Sequence, residues 1–230
     1  MTPGSREVAV PRLVVAVLLL LVGCSSSGGA SADRPPPAAA TTPSAGQTSV
    51  AEATPAGRTA EPSGRPRSPS FDQALHDELI AMLERDQSGR TGGPDPEGDA
   101  ARTARLAEIL DTHGWPTYAL VGEDGEDAAW AVAQHSDADP AFQRRALELL
   151  RRAVADGQAS PGNLAYLEDR VAVGAGQPQL YGTQVGCGPD GPVPATPIAD
   201  QAAVDERRAA AGLDPLADYL AEMTTICAEE

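Results

Sequence analysis

A histidine with two aspartates behind it, an Asp-Arg pair and a short string of amides around a tyrosine are the residues of this chain whose types can do chemistry. His135 stands in Gln134-His135-Ser136-Asp137-Ala138-Asp139. Imidazole changes charge near neutral pH, so a carboxylate that fixes its tautomer makes it a candidate general base. Asp169, brought near by folding, is the expected carboxylate. Arg170 beside it can present a guanidinium fork to a carboxylate or phosphate. The catalytic set read from the sequence is therefore His135, Asp169 and Arg170. The string Gln179-Leu180-Tyr181-Gly182-Thr183-Gln184, if extended, places Gln179, Tyr181 and Thr183 on one face and Leu180, Gly182 and Gln184 on the other. A polar strand face with a glycine that admits a ligand or another backbone is more than a core strand needs. Gln134, Gln179, Tyr181, Thr183 and Gln184 are the expected ligand contacts, and Gln134, His135, Asp169, Arg170, Tyr181 and Gln184 are expected to line one partly open pocket.

Each of these residues also has a structural reading. A histidine near a helix C-terminus suits the helix dipole as a hydrogen-bonded imidazolium, and His113, just before Gly114, fits that reading better still. Asp169 and Arg170 can form a plain ion pair. His135 with Asp137 and Asp139 makes a hard-ligand cluster, but the spacing matches no standard metal site and Asp139 has a helix to cap, so no metal is expected. The sequence has no nucleophile elbow and no glycine-rich phosphate loop after a strand, and no cofactor is expected.

The elements that must position these groups are mainly helices. Ser70 with Gln73 reads as a capping box, and Phe71, Leu75, Leu79, Met82 and Leu83 follow at helical spacing. A second helix starts near Asp99, turns Leu106, Ile109 and Leu110 inward, and stops at Gly114 before Trp115-Pro116. A third spans about Asp127 to His135. Asp139-Pro140 and Ser160-Pro161 are N-caps followed by proline at the first helical position, opening helices that run to Gly157 and Gly174. After Gln177 the pattern changes. Gln179 to Val185 reads as a strand, Gly186 to Pro192 as a turn, and Val193 to Ile198 as a partner strand confined to an edge by its prolines. Short helices near Ala202 to Ala211 and Pro215 to Thr224 close the chain. The expected fold is a single, mainly α domain over residues 70–230 with one small β-hairpin; its roughly 160 residues suffice for one core.

Residues 1–69 read differently. The apolar run Leu13 to Val22 is shorter than the roughly 20 residues a membrane crossing needs. With Arg6 and Arg12 before it and Gly23 after it, it has the layout of a signal peptide over residues 1–23. Leu21-Val22-Gly23-Cys24 resembles the lipobox of bacterial lipoproteins. That resemblance implies cleavage before Cys24, a diacylglyceryl thioether on its sulfur, and a further acyl chain such as palmitate on the new amine. Two or more chains anchor a protein stably without spanning. Residues 24–69 then form a lipid-anchored linker rich in Ser, Gly, Ala, Thr and Pro, too poor in apolar side chains to offset the entropy of ordering. As a flexible coil it would reach about 40 Å, and as polyproline II up to about 140 Å. The expected place is the extracytoplasmic face of a cell membrane, with the domain standing off toward the cell wall.

Charge and cysteines narrow the partners. The formal charge is −16, and losing Arg6, Glu7 and Arg12 with the signal takes the mature form to about −17. Such a polyanion without a basic stripe repels nucleic acid. Cys24 anchors, which leaves Cys187 and Cys227 in an oxidising compartment, where an even pair is normally a disulfide; the closed loop of about 40 residues is worth roughly 4 kcal/mol on the entropy model. Gly114-Trp115-Pro116, the Gln134 to Asp139 stretch, Asp169-Arg170 and the QLYGTQ string of residues 179–184, taken in this order with Asp86-Gln87 and with Val204 to Leu213 around Arg207-Arg208, resemble an uncharacterised bacterial family. It is a domain of unknown function that recurs in lipoproteins and in cytosolic proteins. The resemblance implies no activity. The expected function is that of a monomeric cell-envelope binding or interaction module for a cell-wall-derived or other small polar ligand. The alternative is a hydrolase or transferase with His135 as base and Asp169 and Arg170 as orienter and anion clamp.

Overall fold

The structure, a computed structural model, describes residues 70–228. The expected signal peptide, Cys24 and linker lie outside the described residues. Seven helices, one 3₁₀ turn and one two-stranded hairpin follow in chain order: α1 Gln73–Arg90, α2 Gly98–His113, α3 Tyr118–Gln134, α4 Pro140–Ala155, α5 Pro161–Gly174, β1 Val185–Gly188, β2 Gly191–Pro194, the 3₁₀ turn Gln201–Ala203, α6 Val204–Ala210 and α7 Leu216–Cys227. None of these helices is long and apolar enough to cross a membrane.

α3 is the centre. Ala128, Ala129, Ala131, Val132 and Ala133 are all buried along it, the pattern of a helix surrounded on every side. Its small side chains let neighbours approach closely. Leu75, Leu79 and Met82 of α1, Leu106, Ile109 and Leu110 of α2, Phe142, Ala146, Leu147 and Leu150 of α4, and Leu167 of α5 form one core with it. α3 begins earlier than its apolar pattern announces, because Tyr118–Val121 is a separate first turn joined across Gly122 at φ 77°. That positive φ is what calls for glycine there.

Two proline-led starts are as the sequence dictates. The Asp139 carboxylate accepts from Phe142 N at 2.9 Å, and Ser160 Oγ accepts from Asn163 N at 3.2 Å. The start of α1 is a correction. Asp72, not Ser70, is the N-cap, accepting from Leu75 N at 3.1 Å. Phe71 therefore lies outside the helix, 49% exposed, with its ring 5.5 Å from that of His76, the staple position across a helix start.

The expected strand from Gln179 is a second correction. Only Val185–Gly188 pairs as a strand, antiparallel to Gly191–Pro194 with Val185 opposite Pro194. Gln179 makes an isolated bridge to Ile198. A disulfide joins Cys187 on β1 to Cys227 at the end of α7, as the cysteine count predicts.

Candidate functional site

The polar residues gather around the C-terminal end of α3, where two adjacent side chains reach different clusters. His135, the C-cap, meets Asp86 and Arg90 of α1; Gln134 meets Gln184 of the 179–184 loop. The corner itself is closed by α4: Gln143 Nε2 donates to the carbonyls of Ala133 and Gln134, both at 3.2 Å, and to Asp137 Oδ1 at 3.1 Å. Ser136 Oγ donates to Val132 O and lies 2.8 Å from Thr103 Oγ1.

His135 is 5% exposed and its partner is Asp86 of α1, with Nδ1 2.8 Å from Oδ2. This corrects the expected Asp169 partnership. Asp86 falls on the same face as Leu75, Leu79 and Met82, so its carboxylate is carried into the interior by the helix stripe and must be paired there. Arg90 grips the same carboxylate, Nε to Oδ2 at 3.2 Å and Nη2 to Oδ1 at 3.1 Å. Burial by itself would raise the Asp86 carboxyl, but the His135 hydrogen bond, the positive charge that ring carries when doubly protonated, and then the hydrogen bond and charge of Arg90 outweigh it and hold the group at about 2. Arg90 Nε also lies 2.9 Å from His135 Nδ1. One ring nitrogen cannot both donate and accept, so we assign the proton to Nδ1, donated to the carboxylate, with Arg90 Nε donating to Asp86. Nε2 of His135 is then the free position, and it is buried with no hydrogen-bond partner. Arg102 completes the outer wall. Its fork donates to Asp95 at 2.6 and 2.8 Å and to Asp99 at 2.6 Å, which pins the α1–α2 connection over the cluster.

Arg170, on α5, pairs with Asp137: Nε donates at 2.8 Å and Nη2 closes the fork. Its Nη1 donates to Gln184 Oε1 at 3.1 Å, which also accepts from Gln134 Nε2 at 3.4 Å. The structure thus joins Gln134, Arg170 and Gln184, three of the expected site residues. Oε1 of the fully buried Gln134 has no partner, nor has the indole nitrogen of Trp130 one turn before it.

Asp169 does different work. Its two oxygens accept from the backbone N–H groups of Leu180, Tyr181 and Thr183 and from the Thr183 hydroxyl, at 2.7 to 3.2 Å. Three carbonyls of that loop are met from other helices. Arg207 donates to Leu180 O, Arg208 to Tyr181 O and Tyr219 to Thr183 O. Gln179 closes the ends, its Nε2 donating to Gln184 O and its Oε1 accepting from Gln184 N. The segment is therefore not a strand with alternating faces. Gln179, Thr183 and Gln184 are all buried while Leu180 is 42% exposed, and Gly182 turns at φ 67° with no room for a Cβ, which would lie 2.6 Å from Ile198 Cδ1. An irregular buried loop must find a side-chain partner for each peptide group, which is why the amino acids around it are so particular. Gln179, Thr183 and Asp169 are engaged in that task, and the Tyr181 ring is half-buried beside Glu168. Among the described residues no group of three His, Cys, Asp or Glu side chains is placed to hold a metal ion.

Asp86, Arg90 and Arg102 were not in the catalytic set read from the sequence. Their signal was periodicity: Asp86 and Arg102 occupy core-facing positions of their helices, where a charge demands partners.

The described residues form a small helical bundle with a polar seam at one end of its central helix. Residues 73–226 match the model of a family of unknown function, DUF6624, and the chain belongs to that family. No curated protein and no solved structure matches it.

Proposed function

We propose that the chain is a lipoprotein of the extracytoplasmic face of a bacterial cell membrane, anchored through lipid on Cys24, and that its DUF6624 domain is a monomeric binding module for a small polar or cell-wall-derived ligand, not for nucleic acid. The single observation that carries the binding role is the pair of unsatisfied polar atoms at the end of α3, Nε2 of His135 and Oε1 of Gln134. Burying such an atom unpaired costs about 1–3 kcal/mol, which a ligand offering the complementary donor or acceptor recovers. Arg170 and Gln184 beside Gln134 and Arg90 beside His135 would orient the ligand's remaining polar groups.

A second reading, a hydrolase or transferase, is favoured by the Asp86–His135 contact. Asp86 holds Nδ1–H, leaving Nε2 as the base that takes a proton from water or a substrate hydroxyl as its oxygen attacks. Asp86 here fills the role first expected of Asp169, and Arg170 acts as a clamp.

A thermal-shift screen of polar metabolites and cell-wall fragments on the full chain tests the module. A hit at about 100 times its Kd adds about 2.7 kcal/mol of stability, and the shift should vanish in His135→Ala or Gln134→Leu. A shift retained in both variants would move the ligand elsewhere. Turnover of the hit, abolished in Asp86→Asn with binding retained, would favour the enzyme. The anchor is tested separately: Cys24→Ser should leave the membrane fraction or accumulate as uncleaved precursor, and unchanged fractionation and mass would exclude it.

A further inference from the structure

Glu126, near the start of the regular part of α3, has no part in either cluster at the helix end. It is fully shut off from solvent, at 0% exposure. Its Oε1 accepts from the indole N–H of Trp115 at 3.0 Å and its Oε2 from the amide of Asn163 at 2.9 Å. Both donors are neutral. The same Asn163 nitrogen reaches Asp127 Oδ1 at 2.7 Å. Among the described residues no arginine or histidine bonds to Glu126.

The charges facing it are few. On its own helix Asp127 is the nearest charge, and the phenol of Tyr118 senses Glu126 strongly enough for burial and that carboxyl together to push it up to about 12. From α5 the facing groups are Ser160 and Asn163, and from the α2–α3 connection Trp115, none of them charged. On α1 the nearby titratable group is His76, whose two ring nitrogens are taken by Asp77 and Asp124. His113 at the end of α2 is exposed.

A carboxyl taken out of water with only neutral donors favours its uncharged form, because ionising it there forfeits hydration that a few neutral N–H groups do not replace. Burial raises Glu126 first and the Asp127 charge adds to it, against the Trp115 and Asn163 bonds and that of the Ser160 backbone, leaving it at about 7. The group joins three separate segments: α3, the Gly114–Pro116 connection and the first turn of α5.

We propose that Glu126 is a proton-binding latch, independent of the ligand site: as the neutral acid it holds these three segments together, and its ionisation loosens their seam. The proposal does not depend on what the domain binds. An extracytoplasmic domain is exposed to the pH of its surroundings, so the latch would make the packing of its central helix respond between mildly acid and mildly alkaline conditions.

The sign is fixed by linkage. A carboxyl whose folded value lies above its ordinary one binds its proton more tightly when folded, so its contribution is fully present below about 4.5 and is lost as pH rises toward 7. His76 and Asp127, both raised in the folded chain, contribute with the same sign, so the variant comparison must isolate Glu126. In the full chain, melting temperature should fall by about 5–10 °C between pH 5 and pH 8, and Glu126→Gln should remove most of that fall. The chain has only two tryptophans, which gives a second readout on the unaltered protein. In a nitrogen-edited NMR titration the indole N–H of Trp115 should move with one midpoint near 7 while that of Trp130 stays still, Trp130→Phe assigning the pair. A Trp115 signal that is static, or that titrates below pH 5, overturns the latch, as does an equal pH slope in Glu126→Gln and wild type. If Glu126→Gln does not fold, the wild-type titration alone decides.

Discussion

The Asp86–His135 cluster and the Asp169-centred loop look alike in sequence, each a polar motif with an acid and an arginine, and they are opposites in structure. Around Asp169 the peptide groups of an irregular loop find partners in turn. Around His135 the acid and the guanidinium forks of Arg90 and Arg102 are engaged, yet Nε2 of the ring is left without a partner, as are Nε of Arg102 and Oε1 of neighbouring Gln134. The difference separates two reasons for a particular sequence. The loop needs its residues to exist at all; the α3 end carries unsatisfied groups that folding alone does not reward. Strained or unpaired groups concentrate where a protein meets a ligand, and that asymmetry is what places the proposed site at His135 and Gln134 rather than in the more distinctive 179–184 string.

The sharpest way to break the comparison is to remove the acceptor that holds the loop. Asp169→Ala leaves the N–H groups of Leu180, Tyr181 and Thr183 and the Thr183 hydroxyl without their acceptor. At about 1–3 kcal/mol for each group that water cannot reach, a loss of about 4 kcal/mol or more is expected, read as a collapse of the denaturant midpoint or as insoluble expression. A change below about 1 kcal/mol would mean that the loop is not held through Asp169.

The next effect concerns the disulfide. Cys187 and Cys227 are 40 residues apart, so reduction frees the unfolded chain by up to about 4 kcal/mol on the entropy model, and the melting temperature should drop on adding a reductant. Thiol labelling before reduction should find neither cysteine reactive. The loss should be additive with variants at His135, since the bridge ties β1 to α7 and touches neither polar atom at the end of α3.

Much of this was legible in the sequence because its causes are local. Asp139-Pro140 and Ser160-Pro161 specify helix starts by chemistry within four residues, and the two lone cysteines of the domain specify each other by count. The third-helix start and the 179–185 strand were misread because apolar spacing does not show their causes: Gly122 permits a backbone kink, and the loop is stabilised by Asp169, Arg207, Arg208 and Tyr219, brought from three other helices. The same limit applied to the site. His135, Gln134, Arg170 and Gln184 could be named as candidates, but that Asp86 and not Asp169 faces the imidazole depends on how α1 and α5 pack around α3.

A smaller effect, on the pH axis, tests the unsatisfied side. Asp86 is held at about 2 against an ordinary 3.8. A depressed carboxyl contributes stability above its unfolded value and loses it as pH falls through the folded one, so about 2 kcal/mol should disappear between pH 4 and pH 2. Asp77, Glu78, Asp95 and Asp124 are lowered as well and share this acid limb. The relevant quantity is therefore the difference between wild type and Asp86→Asn, whose acid limb should be shallower. Parallel limbs in the two proteins would show that the carboxylate is not paired with His135 and Arg90 in solution.

The smallest expected change in stability is the most informative. Gln134 makes one long contact, to Gln184 at 3.4 Å, and buries an oxygen with no partner. Replacing such a group by an apolar side chain of similar size removes the unpaired atom along with a weak bond, and the balance lies near zero or on the side of added stability. Gln184→Leu is the control: its amide accepts from Arg170 at 3.1 Å and donates to Thr183 Oγ1 at 3.1 Å, so its loss strips partners from buried groups and should cost about 1–3 kcal/mol. If Gln134 is retained for a ligand, Gln134→Leu should melt at or above the wild-type temperature and no longer respond to a compound that stabilises wild type. That combination, stability kept and response lost, is the mark of a residue held for function against folding. Equal destabilisation by the two leucine variants would make Gln134 part of the scaffold and erase the contrast between the two clusters.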